Sequence, residues 1–139
     1  MSEQKDKFRV LAESHGLVAD DFFKAPQGFW IIKRQGVEKI QRSMGCVVHY
    51  EVVPEFSDIE KGFYCIKAYA MVEYKVASEK TGKLEEQVKT VESYGEASPK
   101  NCRNAYPVAM AEKRALGRVV LKMADFYQLG VYSEDEIDE

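Results

Sequence analysis

"GFYCIKAYAMVEYKV", Gly62 to Val76, alternates between two kinds of side chain. Tyr64, Ile66, Ala68, Ala70, Val72, Tyr74 and Val76 fall on one side of an extended chain, with Lys67, Tyr69, Glu73 and Lys75 on the other. A period of two marks a strand with one buried face. "SEKTGKLEE" (Ser78 to Glu86) supplies the turn formers and charges of a hairpin tip, and "QVKTVESYGEA" (Gln87 to Ala97) returns as the next strand. Upstream, "CVVHYEVV" (Cys46 to Val53) is rich in β-branched residues and reads as the strand before it. Three strands in succession predict an antiparallel meander, whose apolar face needs a cover.

The cover is the long helix expected within "SPKNCRNAYPVAMAEKRALGRVVLKM", Ser98 to Met123. Val108, Ala115, Leu116, Val119, Met123 and Phe126 lie on one side at 100° per residue. Pro107 suits the first turn, with Asn104 as a candidate cap just before it. Arg114, Arg118 and Lys122, at i, i+4 and i+8, form a ridge expected to face away from the apolar arc, while Lys113 projects elsewhere. Glu112 falls inside the arc, which predicts a paired, partly buried carboxylate. Before the meander, Phe8, Leu11, Ala12 and His15 sit at helical spacing ahead of Gly16. "FWII" (Phe29 to Ile32) reads as a brief strand, and Val37, Ile40 and Met44 stripe a short helix ended by Gly45. His15 reads as a packed or capping residue rather than a ligand. The fold class expected is α+β: a three-stranded antiparallel β-meander packed against a long C-terminal helix, a β-β-β-α core with small N-terminal helices.

With 139 residues, 45% of them hydrophobic, the chain is long enough to bury the core of one domain. No apolar run approaches the ~20 residues that span a bilayer. The start, "MSEQKDKFRV", lacks the apolar core of a signal peptide, so a cytoplasmic setting (bacterial, or that of a phage-infected host) is expected. Cys46, Cys65 and Cys102 are odd in number and widely spaced, with only His15 and His49 beside them, which supports neither a disulfide framework nor a zinc site. No phosphate-cradling G-x-x-x-x-G-K-[ST] loop is present, and no cofactor is expected.

The net charge of −3 conceals a segregation. "SEDEIDE", Ser133 to Glu139, carries five acids and no base, and reads as an acidic C-terminal tail (133–139) appended to a single domain (1–132). Lys33 to Met44 holds four bases against one acid, and Ser98 to Met123 holds six against one. Such clusters are either solvated helix faces or the electrostatic footprint of a polyanion.

The run "AEKRALGRVVLKMADFYQLG", closing a β-β-β-α unit, resembles the single-strand annealing protein superfamily: the Erf and Red-beta-like phage recombinases and the eukaryotic ring-forming annealing protein. Ala111, Glu112, Lys113, Arg114, Ala115, Leu116, Gly117 and Arg118 match an A-E-x-R-A-L-G-R motif, with Val119 where alanine is usual. The Lys-Arg-Ala-Leu string Lys113 to Leu116 matches the eukaryotic branch. The likeness covers roughly residues 29–130, and the long C-terminal region that recruits other proteins in the family has no counterpart. The resemblance implies ATP-independent, non-enzymatic binding of single-stranded DNA and annealing of complementary strands by a homo-oligomeric ring or filament. It implies phosphate contacts first from Arg34 and from Lys113 or Arg114.

Holding a strand by its backbone requires cations spaced along a groove, with base edges left free. The ridge Arg114, Arg118 and Lys122, at about 6 Å per step, is one candidate wall, joined by Arg103. Lys33, Arg34, Lys39 and Arg42 on the short helix, with Lys67 and Lys75 on the outer sheet face, form the other. Tyr69 and Trp30 are stacking candidates, but aromatics in strands usually pack, and core or interface is the favoured role of each. Two alternatives stand beside this reading. Asp58, Glu73 and Lys75 spell the D…E-x-K skeleton of a metal-dependent nuclease, and a charged helix can serve a protein-interaction module that binds no nucleic acid.

Overall fold

A computed structural model describes residues 2–102 and 105–136. Arg103, Asn104, Asp138 and Glu139, to which the sequence assigned roles, lie outside the described residues. The elements are α1 (Ser2–Ser14), β1 (Phe22–Lys24), β2 (Trp30–Ile32), α2 (Arg34–Met44), β3 (Val47–Val52), β4 (Tyr64–Ala77), β5 (Leu84–Ala97), α3 (Pro107–Met123) and β6 (Tyr132–Ser133), joined by short 3-10 turns. The fold is α+β. One sheet is the antiparallel meander β3-β4-β5, and a second, of order β1-β2-β6, pairs β1 antiparallel and β6 parallel to β2.

Period two does for β4 what the sequence predicts over its first half. Ile66, Ala68, Ala70 and Val72 are buried beneath α3, opposite Gly95, Ser93, Val91 and Lys89 of β5. Beyond Val72 the pattern persists but the burial does not, because Tyr74 and Val76 are exposed. The cause is length. Fourteen residues of strand span about 46 Å, whereas the seventeen of α3 span about 26 Å. Helix and sheet run out of register, and the distal hairpin projects as a two-stranded arm with both faces in solvent.

Helix α3 is the centre of the molecule rather than a lid. Ala111 and Ala115 meet Gly95, whose hydrogen stands where a Cβ would lie 2.1 Å from the Ala111 carbonyl oxygen. Gly117, about 200° around the helix from Ala115, meets Ser133 of the small sheet, where a Cβ would lie 2.6 Å from Oγ. Two sides of one helix are thus buried, in a core that joins Ile32, Val37 and Ile40 to Ala68, Ala70, Val119, Val120 and Phe126. Gly45, at φ 61°, ends α2 in the left-handed region where glycine carries no Cβ penalty.

Five expectations are corrected. Glu112 is exposed, outside the packed arc, because Ala111 and Ala115 fill the contact with β5 and Glu112 is turned about 100° from Ala111; Val108, in the first turn, is exposed as well. Arg114 is buried, at 3% exposure, rather than facing solvent. The boundary at 132/133 falls inside β6, and Ser133 and Asp135 are buried, so the start of the acidic segment is part of the domain. The helix cap position is Tyr106, which makes no side-chain capping bond, although Pro107 does open the helix.

Candidate nucleic-acid interface

The three-cation ridge of α3 runs along the open edge of β5. A four-residue helical step advances about 6 Å, and two strand residues advance about 6.6 Å, so Arg118 and Arg114 meet the alternate carbonyls of Tyr94 and Glu96, while Lys122 reaches the buried Ser93 side chain. Lys122 Nζ donates to Ser93 Oγ at 3.1 Å. Arg118 Nη1 donates to the Tyr94 carbonyl at 2.7 Å, and Nη1 and Nη2 grip the Glu96 carboxylate at 2.8 Å each. Arg114 Nη1 donates to the Glu96 carbonyl at 2.8 Å. The regular spacing that suited a DNA backbone is matched within the protein, where it covers strand groups that would otherwise stay unpaired.

The segment after β6 completes the lacing. Arg118 Nε and Nη2 hold the two oxygens of Glu136. Arg114 donates from Nε to the Asp135 carbonyl at 2.8 Å, and its remaining donors reach Asn101 Oδ1 and the Asn101 carbonyl. Arg34 pairs with Asp135 at 2.9 Å, and its backbone N–H donates to Glu134 Oε1 at 2.6 Å. The Arg118 guanidinium holds the Glu96 carboxyl below the usual carboxylate range. Glu96 first, then Glu136, raises the pKa of Arg118, and Asp135 does the same for Arg34.

The other candidates divide. Lys39 donates to the fully buried Asp21 at 2.9 Å, and Lys33 lies 3.5 Å from Asp20. Burial pushes the Asp21 carboxyl upward, but Lys39, the Val18 N–H and Gln35 outweigh it, and the net pKa is lowered. Lys67 pairs with Glu92 at 3.2 Å and lies over the Tyr69 ring (4.8 Å) and the Tyr94 ring (5.6 Å), on a sheet face that no layer of the described residues covers. Phe56 packs edge-on against Tyr94 at 6.2 Å and is exposed. Trp30 is part-exposed, stacked on Phe8 with Lys24 over its ring. Lys75 is exposed on the arm.

What stays together and open is the seam between α2 and α3. Arg34, Glu38 and Lys113 line one small cleft with Asp135. Arg42 lies two turns along the same α2 ridge as Arg34 and is exposed. Lys113 and Arg42 have no ion pair among the described residues, and the Arg34 side chain is 46% exposed.

The nuclease triad does not converge. Asp58 pairs with Phe63 in an isolated bridge, while Glu73 and Lys75 lie ten and twelve residues further along β4. Ten strand residues put Asp58 and Glu73 about 30 Å apart, too far to share a metal. Among the described residues no three His, Cys, Asp or Glu side chains gather in metal-binding geometry. Cys46 and Cys65 are buried thiols whose pKa values burial raises. His15 is half-buried and bonded to Ser43 Oγ, the packed role expected of it. No described helix is long and apolar enough to cross a membrane.

Sequence reading missed Asp21, Glu96 and Asn101 as partners of the basic residues. Asp21 stands beside Asp20 in what reads as a loop, and Glu96 belongs by parity to the outer sheet face. Nothing local marks either as the receiver of a guanidinium or an ammonium. Comparison with protein-family models, with curated proteins and with solved structures finds no match to this chain.

Proposed function

We propose that this is an ATP-independent, non-catalytic single-stranded DNA-binding and strand-annealing protein that works as a homo-oligomer. The observation that carries the reading is that the Ala111–Arg118 stretch lies on a helix packed over a three-stranded antiparallel meander. Lys113 and Arg34 share one cleft with Glu38 and Asp135, and Arg42 lies two turns further along α2. A phosphodiester backbone needs spaced cations and no base-specific donors, and Arg34, Lys113 and Arg42 suit it, with Glu38 standing between the two arginines on α2. The uncovered sheet face, with Tyr69, Tyr94 and Phe56 around Lys67, suits stacking of bases of any identity. The projecting arm offers the unpaired strand edges by which copies associate.

The test is anisotropy of labelled oligo(dT) across a salt series, with an annealing assay on complementary strands. About three phosphate contacts per subunit give log affinity a slope near −2 against log salt. Lys113→Ala/Arg42→Ala should lower affinity severalfold while stability stays within about ±0.5 kcal/mol, since both are surface residues. Affinity that is flat with salt, or a double variant that anneals normally, overturns the seam as the site.

A protein-interaction module is the second reading. It is favoured by an apolar groove of about 600 Å³ at the end of the sheet, lined by Val52, Pro54, Ile59, Tyr64, Ile66 and Val108. Absence of any oligo(dT) binding at low salt would leave this reading standing.

A further inference from the structure

The segment Ser133–Glu136 lies across Arg34, which the annealing resemblance assigns to phosphate, and Arg118, a phosphate candidate from the helix ridge. We infer that this strap is a built-in competitor of the nucleic acid: its carboxylates hold Arg34 and Arg118 until a phosphodiester backbone displaces them. The inference rests on the single-stranded DNA reading and adds a regulation of that site.

Four observations carry it. The Arg118 fork holds Glu136 through Nε and Nη2 in the two-point geometry that a phosphate also takes. The Glu134 carboxylate accepts the backbone N–H of Arg34 at the first turn of the eleven-residue α2, a position where the helix favours any anion. The strap's backbone pairing is slight, since β6 is two residues long and pairs only Tyr132 and Ser133 with β2, and its other hydrogen bonds run to Arg34, Arg114 and Arg118. It is also imperfectly seated: Ser133 Oγ is buried against Gly117 and has no hydrogen-bond partner among the described residues. A docked strap bears the cost of that orphaned hydroxyl and a released one does not.

The chemistry is an exchange of anions. Displacement removes carboxylates from Arg34 and Arg118 and puts phosphates there, so no guanidinium is left unpaired at either end. Arg114 behaves differently. Its bonds to the Glu96 carbonyl and to Asn101 survive loss of the strap, which keeps α3 fastened to β5 while the neighbouring groups change partner. Release also leaves Lys113 and Arg34 sharing their cleft without Asp135. Strap docking and DNA binding therefore oppose each other, and the coupling is reciprocal.

The full-length protein tests this with labelled oligo(dT) and three variants. Asp135→Asn/Glu136→Gln should bind about fivefold more tightly or better, with a steeper salt slope. Gly117→Ala pushes Ser133 away without altering charge and should act in the same direction. Glu85→Gln/Glu86→Gln, on the arm, is the control for net charge and should change affinity less. In the wild-type protein, oligo(dT) should speed hydrogen exchange at the amides of residues 133–136, a readout that stands even if a strap variant fails to fold. If the wild type binds oligo(dT) while both strap variants match it and the strap amides stay protected, the competitor role is overturned and DNA binding stands. A control as strong as the strap pair reduces the effect to bulk charge and also overturns it. If neither wild type nor variants bind at low salt, the DNA reading itself fails.

Discussion

Arg114 has neutral carbonyl groups as its hydrogen-bond partners: those of Asp135, Glu96 and Asn101, together with the Asn101 side-chain oxygen. One planar fork thereby ties the end of β5, the loop before α3 and the C-terminal strap, a job that a lysine point charge cannot do. Arg114→Ala strands several buried acceptors and should cost about 2–4 kcal/mol in chemical denaturation, with Arg114→Lys restoring little of it. Glu112→Gln, on the exposed face, should stay within about ±0.5 kcal/mol. Asp21 and Glu96 give the protein an acid limit. Both carboxyls titrate lower in the folded chain than in the unfolded one. The stability they contribute is therefore complete above the ordinary carboxylate range near pH 4 and drains away as pH falls through their folded values. Asp21→Asn should cost about 1–3 kcal/mol at neutral pH, and melts taken at decreasing pH should show the gap to wild type closing. A gap that holds steady into acid would mean that the Asp21 charge is not what stabilises the site.

Helix α3 and strand β5 approach so closely because small residues line the contact. A methyl at Gly95 would meet backbone, the Ala111 carbonyl oxygen at 2.1 Å and the Ala115 nitrogen at 2.4 Å, and no rotamer change relieves either contact. Gly95→Ala should therefore separate helix from sheet and cost about 3 kcal/mol, the upper range for overpacking, read as a fall in thermal midpoint. A midpoint within a degree or two of wild type would show that the pair slides apart freely. Element identity was legible because each stretch keeps its own period: two in β4, and 3.6 in α2 and α3. The arm was not, since alternation continues through Tyr74 and Val76 whether or not a helix lies above them. Nor was the partnership of Arg118 with Glu96, because parity assigns Glu96 to the face away from α3. Only at an open edge can a helix side chain reach around to it.

The whole molecule presents apolar surface at both ends of one long sheet. Tyr74, Val76, Leu84 and Val88 are exposed on the arm, and Val52, Ile59 and Val108 at the opposite groove. Exposed apolar side chains grouped in this way mark association surfaces. Unlike ends would join copies head to tail, as rings and filaments require. Val76→Glu/Val88→Glu on the arm should leave the thermal midpoint nearly unchanged and shift sedimentation toward monomer. If wild type sediments as a monomer with oligo(dT) present, the oligomeric reading falls.

Local chemistry by itself determined the strand periodicity of Gly62–Val76, the helix opened by Pro107, the stop at Gly45 and the α+β class, since each depends on neighbours a few positions apart in the chain. What the bases do was decided only by tertiary structure. Arg114 and Arg118 read as part of a solvent-facing ridge and Lys39 and Lys67 as cations of an opposing wall, and each found its partners through folding, 13 to 25 residues away in sequence. An ion pair or a buried carbonyl contact depends on which element packs beside which. The acidic terminus makes the same point, because nothing in "SEDE" distinguishes a solvated tail from a strap until β6 pairs with β2 and sets its carboxylates against the helix.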